Sequence, residues 1–198
     1  MIELTRTLFL IDGPTERESF KNKLQKEYKS YPEMAHVNCN GEDVSAHGYA
    51  IKATSFISHH FRKRCKCFIC ILDYEGRKGK PLVFAEEIKK EITRMLRDQY
   101  KLNDAQLLDM RLEVCVADKT FENWIVADIE GIKIRSQLIK SEAEQKLYDG
   151  KKGETILKGI MKTPYSKVIH APMLFKAISF RRAASNSPSF NTFVLALR

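Results

Sequence analysis

Apolar positions along the chain fall into two patterns that alternate. One unbroken apolar run occupies Cys67 to Leu72, and strand-like, mainly apolar stretches occupy Thr5 to Ile11, Met34 to Cys39 and Leu112 to Ala117. A continuous run of this length, bounded by turn residues, predicts a strand buried on both faces. Stretches of helical spacing lie between the runs. Pro14 opens the first, Thr15 and Glu18 have the form of a capping box, and Phe20, Leu24 and Tyr28 follow on one face. Ala46 to Phe61 carries Tyr49, Ala50, Ala53, Phe56, Ile57 and Phe61 on one face. It ends in His59-His60-Phe61-Arg62-Lys63-Arg64, where the helix dipole favours cations. Leu82 to Tyr100 is strongly amphipathic, and Phe121 to Asp128 reads as a further helix. Asn40-Gly41 closes the second strand. This alternation predicts an α/β fold over residues 1–132, a Rossmann-like parallel sheet flanked by helices.

After Gly131 the alternation stops. Ser136 to Tyr148 is expected as a polar helix, Asp149 to Gly153 as a turn, Glu154 to Met161 as a helix and Phe190 to Leu197 as a closing helix. Pro164, Pro172 and the segment Ser185-Asn186-Ser187-Pro188-Ser189 are expected to break the rest. Residues 133–198 thus read as a mainly helical C-terminal extension, packed on the sheet without a flexible linker.

Charge adds to this division. Of the net +9, residues 1–132 contribute nothing, with 21 Lys and Arg against 21 Asp and Glu, while residues 133–198 hold 13 basic and 4 acidic residues. A neutral body with a basic C-terminal third fits a polyanion partner, nucleic acid first, and equally fits an ordinary solvated surface. No run of eighteen apolar residues occurs and the N-terminus lacks a signal-peptide shape, so a cytoplasmic protein with no membrane segment is expected. Five cysteines stand in or beside apolar strands. Cys65-Lys66-Cys67 and Cys67-Phe68-Ile69-Cys70 have no second Cys or His pair at zinc spacing, which favours reduced core thiols. Trp124, in an apolar helical context, is expected in the core rather than as a base-stacking platform.

The candidate chemistry lies where the strands end. Parallel strands point one way, so Asp12 after the first, Asp73 and Glu75 at the third, and Asp118 and Glu122 after the fourth arrive at one sheet edge. Glu16 follows Asp12 by one helical turn. Carboxylates gathered in a small volume repel, and a hard divalent cation such as Mg²⁺ (or Mn²⁺) relieves that repulsion. Two such ions activate water and stabilise a leaving phosphate oxygen, and Arg77, Lys78 and Lys80 stand ready to hold a phosphodiester. Arg181 and Arg182 in the basic third are further nucleic-acid-binding candidates. Each acid also has a structural reading: Asp12-Gly13-Pro14 as a turn, Glu16 and Glu18 as N-terminal helix charges, Asp73 to Gly76 as a loop. Gly13-Pro14-Thr15 lacks the second Gly and the Lys of a phosphate loop, and no Gly-x-Ser-x-Gly exists.

Several of these residues form a familiar series. Leu8-Phe9-Leu10-Ile11-Asp12-Gly13-Pro14-Thr15-Glu16-Arg17 resembles the first motif of Toprim-like proteins, and more closely that of the DUF4276 family. Ile71-Leu72-Asp73-Tyr74-Glu75-Gly76 resembles the family's Asp-x-Asp motif. Phe121 to Asp128 resembles its Glu-x-Trp-hydrophobic-x-x-Asp segment, and Ser187-Pro188-Ser189-Phe190 its C-terminal Ser-Phe signature. The resemblance implies a Toprim fold and an Mg²⁺-dependent nuclease acting on DNA or RNA. It also implies a role in bacterial anti-phage defence beside an SMC- or ABC-type ATPase partner. Through it Asp12 takes the acid/base position, Asp73 and Glu75 the metal-binding pair, and Glu16 and Glu122 further acidic positions, so that Asp12, Asp73, Glu75 and Glu122 are the implied metal ligands. Asp12 stands for the family's usual Glu and Glu75 for its usual Asp, each exchange moving a carboxylate by roughly 1.5 Å, one carbon–carbon bond. Displacements of that order matter in catalysis. A non-catalytic subunit that binds and regulates an ATPase therefore stands as the alternative, and a sugar- or nucleotide-binding α/β protein as a third reading. A homo-oligomer is left open.

Overall fold

In the computed structural model of the chain, which describes residues 2–38, 44–77, 79–148 and 150–198, four strands form one parallel sheet. They are β1 (Thr7–Ile11), β2 (Glu33–His36), β3 (Cys67–Asp73) and β4 (Arg111–Ala117), in the order β2-β1-β3-β4. The helices are α1 (Pro14–Tyr28), α2 (Ala46–Arg62), α3 (Pro81–Asp98), α4 (Asp104–Leu108), α5 (Glu122–Val126), α6 (Ile129–Arg135), α7 (Gly153–Ile160), α8 (Lys167–Ala177), α9 (Phe180–Asn186) and α10 (Pro188–Ala196). The α/β alternation expected for the first 132 residues is the one observed. The β2 strand lies at the edge, carries polar Glu33 and His36, and is only partly covered. The Cys39 end of its expected run and the Asn40-Gly41 turn lie outside the described residues.

The two faces of the sheet bury different halves of the chain, as the two-residue side-chain period of a strand requires. Leu8, Leu10, Phe68, Cys70, Leu72, Val114 and Val116 face α2 and α3. Phe9, Ile11, Ile69, Ile71, Cys115 and Ala117 face α1, α5 and the segments that follow residue 132. On that second face Phe9, Phe20, Trp124, Phe175, Phe190 and Phe193 form a connected aromatic cluster. The C-terminal third is therefore the cover of one face of the sheet. Cys65, Cys67, Cys70 and Cys115 are buried free thiols, and burial pushes Cys70 up to about 12. None of the described helices is long and apolar enough to cross a membrane.

Two expectations for this third are corrected. Ser136 to Tyr148 is not a helix but irregular chain. Its backbone bonds go elsewhere: Ile139 bridges Met161, Lys140 N–H donates to Ile160 O at 2.9 Å, and Lys162 N–H to Leu138 O at 2.8 Å. Gln145 Oε1 accepts from Ile129 N–H at 2.7 Å, at the start of α6. The stretch is polar and lacks a helical stripe, and as a strap it buries Ile139 and Ala143. Pro172 does not break α8, which runs through it. Pro172 has no N–H to offer the carbonyl of Val168, a residue exposed to solvent.

Candidate functional site

The β1–β3 register pairs Leu10 with Cys70, which brings the ends of the two strands together. Asp12 follows β1 directly and Asp73 is the last residue of β3. The Asp73 N–H donates to Asp12 Oδ2 at 3.3 Å. Glu16 stands in the first turn of α1 with its side chain 8% exposed, and Glu122 opens α5 at 1%. Both use the positive end of a helix, where a buried carboxylate is tolerated. Lys167, the first residue of α8, places its ammonium 3.1 Å from Glu16 Oε1 and 3.8 Å from Glu122 Oε1. The Tyr165 hydroxyl donates to Glu122 Oε1 at 3.1 Å.

Burial pushes the Asp73 carboxyl well above the usual carboxylate range. Lys167 works against that shift, while Glu16, Asp12 and Glu122 add to it. For Lys167 burial opposes the charge, yet Glu16, Asp73 and Glu122 outweigh it and hold the ammonium above the usual lysine range. Burial and the neighbouring Glu122 raise Tyr165, which stays a neutral donor. Four carboxyl groups thus gather near one ammonium, with acidic groups in excess. Such a pocket draws cations and protons.

The donor set suits a hard cation. Among the described residues no three His, Cys, Asp or Glu side chains stand as a ready-made coordination shell. The Lys167 ammonium bridges Glu16 and Glu122, and Asp12 and Asp73 lie side by side at the ends of β1 and β3. Mg²⁺ is commonly held by one or two carboxylates with its other positions filled by water and phosphate.

The other candidates sit as follows. Glu75 is not among the charges acting most strongly on Asp73. Its backbone is left-handed (φ 51°) and its N–H binds Lys119 O at 2.6 Å. Asp118 is tied to the C-terminal segments, accepting from Gly150 N–H while its own N–H donates to Ser189 Oγ. The Arg77 guanidinium donates to the carbonyls of Asp73, Tyr74 and Val44 and lies over Phe84, so it braces the loop after β3. Lys80 is exposed at the start of α3, and Lys78 lies outside the described residues. Arg181 and Arg182 are both exposed, and Arg182 is held by Asp128 (Nε to Oδ1, 2.7 Å).

Lys167 and Tyr165 were not foreseen. They lie some 150 residues from Asp12 in sequence, and no motif joins them to it. One local signal exists: a lysine as the first residue of a helix opposes the dipole, so something else must hold it there.

Two of the short motifs interlock. Trp124 Nε1 donates to Ser189 Oγ at 3.0 Å, and its ring packs on Phe190 at 5.3 Å. Ser187 caps α10. Asp128, fully buried, binds Arg182, the Gly131 N–H and the Ser179 N–H. The segment bearing Glu122 is thereby pinned at two points to the C-terminal helices.

The family model described as Domain of unknown function (DUF4276) matches residues 11–198. No curated protein and no solved structure matches the chain.

Proposed function

The chain belongs to the DUF4276 family, and on that premise we propose that it is a Toprim-type, Mg²⁺-dependent nuclease that hydrolyses phosphodiester bonds of DNA or RNA. The observation that carries this reading is the convergence of Asp12, Asp73, Glu16 and Glu122 on one pocket with a single ammonium among them. Asp12 and Asp73 would hold the ion. Bound there, Mg²⁺ supplies Lewis-acid charge for the phosphate oxygens and a water that ionises more readily.

The chain's own residues do the rest. Glu16 and Glu122 keep Lys167 charged, and its ammonium offers charge to a phosphate whose negative charge grows in the transition state. Tyr165, kept neutral, fixes the Glu122 carboxylate through its 3.1 Å bond. The contacts of Trp124 with Ser189 and Phe190 hold the segment that bears Glu122. A role in anti-phage defence beside an SMC- or ABC-type ATPase, in the cytoplasm, goes with this proposal.

One observation favours a second reading. Lys167 already meets part of the negative charge internally, as expected of a catalytically silent subunit that binds and regulates such an ATPase. The test is cleavage of plasmid, single-stranded DNA and RNA with Mg²⁺ or Mn²⁺, compared with Asp12→Asn and Asp73→Asn. Loss of one metal-polarised centre removes about 100-fold or more of the rate, so both variants are expected to fall by at least that factor. Cleavage that survives both changes, or that never appears even with the partner ATPase present, rejects the nuclease reading.

A further inference from the structure

A cleft of about 660 Å³ opens between the C-terminal end of α1 and the α9–α10 pair. It lies at the opposite end of α1 from the acidic pocket. Glu16 and Tyr28 are twelve residues apart on that helix, about 18 Å at 1.5 Å per residue. Tyr28, Phe180, Arg181, Asn191, Val194 and Arg198 line it. Arg181 and Arg198 form no ion pair among the described residues, nor does the Asn191 side-chain amide make a hydrogen bond there. Most neighbouring charges are positive as well. The Lys23 ammonium lies 5.0 Å from the Phe180 ring centre, and Lys26 and Arg135 are close enough to act on Lys23. The nearby carboxylate of Glu27 is taken up by Lys23 at 2.7 Å.

We propose that this cleft is a docking site for single-stranded nucleic acid, with Arg181 and Arg198 on phosphates and the rings of Tyr28 and Phe180 against bases. Guanidinium groups present paired N–H donors that match phosphate oxygens. Half-covered aromatic rings stack on any base, and the few other polar groups in the cleft give little to read a base edge, so recognition tolerates sequence. A duplex keeps its bases stacked and offers no free face to Tyr28 or Phe180. The inference takes its substrate class from the nuclease reading and deepens it. A strand held here extends along α1 towards Asp12 and Asp73, so the cleft anchors substrate at a distance from the bond that is cut.

The test is fluorescence anisotropy of labelled oligo-dT and oligo-U with the full chain in EDTA, over a series of salt concentrations. Arg181→Glu/Arg198→Glu is expected to weaken binding at least tenfold. Losing two phosphate contacts lowers the log–log salt slope by about 1.4, at 0.7 per contact on single strands. Tyr28→Leu, which keeps apolar bulk, is expected to weaken binding severalfold without changing that slope. Lys63→Glu, an exposed basic residue elsewhere, is expected to stay within twofold of the wild type. The inference is overturned if the double variant binds as the wild type does, if Lys63→Glu is equally damaging, if duplex binds as tightly as single strands, or if dTMP competes on equal terms with the oligonucleotide. Binding that depends on Arg181 and Arg198 in a protein that never cleaves would reject the nuclease and keep the docking site. Cleavage that depends on Asp73 while both arginines prove dispensable would do the reverse.

Discussion

Replacing Lys167 by methionine removes the one ammonium in the acidic pocket and keeps most of the side-chain volume. Its partners are buried Glu16 at 3.1 Å and Glu122 at 3.8 Å, and Lys167 itself is 40% exposed. Breaking a fully buried pair from one side costs about 3–5 kcal/mol. The exposure of Lys167 lets water replace part of the interaction and reduces that figure. The expected destabilisation at pH 7 is therefore about 2–3 kcal/mol. The sign with pH follows from Lys167 itself: against burial, Glu16, Asp73 and Glu122 hold its ammonium above the usual lysine range, so its contribution is fully present at pH 7 and is lost only as pH rises through the folded value. Urea unfolding at pH 7, followed by fluorescence of the single, fully buried Trp124, measures it. No loss at pH 7 would refute the pairing itself.

Three further outcomes are expected. Asp73→Asn should make the fold more stable at neutral pH, because the raised Asp73 pKa means that stability falls as pH rises from the ordinary carboxylate range through the folded value. A melting curve at pH 7 that drops in this variant contradicts the burial and repulsion argument. Gly153→Ala should cost about 1–3 kcal/mol by overpacking, since a Cβ there meets the Glu122 carbonyl carbon and the Asn123 nitrogen at 2.4 Å. The same variant should reduce any cleavage by displacing Glu122, and urea titration together with the nuclease assay reads both effects. Ser189→Ala leaves the Trp124 indole N–H without its acceptor inside the core and should cost about 1–3 kcal/mol in chemical denaturation.

The α/β layout was legible because β1 and β3 are apolar on both faces, β4 is apolar over its second half, and α1, α2 and α3 carry a helical stripe between them. Both are local properties of a few consecutive residues. The C-terminal third was less legible. Ser136 to Tyr148 carries no strong period, and where period is weak the partners of the backbone are chosen by distant segments such as Met161 and Ile129. Pro172 reads as a helix break in the sequence, yet α8 runs through it.

The same division runs through the site. That Asp12 and Asp73 meet follows from strand direction alone, because parallel strands must end at one edge. That Glu16 and Glu122 join them follows from short strand-to-helix turns. After β3 the backbone turns left-handed at Glu75, a departure from the two-residue strand period that the local pattern does not announce. The cation at the centre depended on tertiary structure entirely. Lys167 arrives because α8 packs along α1, and a contact between residues some 150 positions apart leaves no trace in either local pattern. The sequence determined where negative charge would gather; the packing of the C-terminal third decided how much of that charge is met from within.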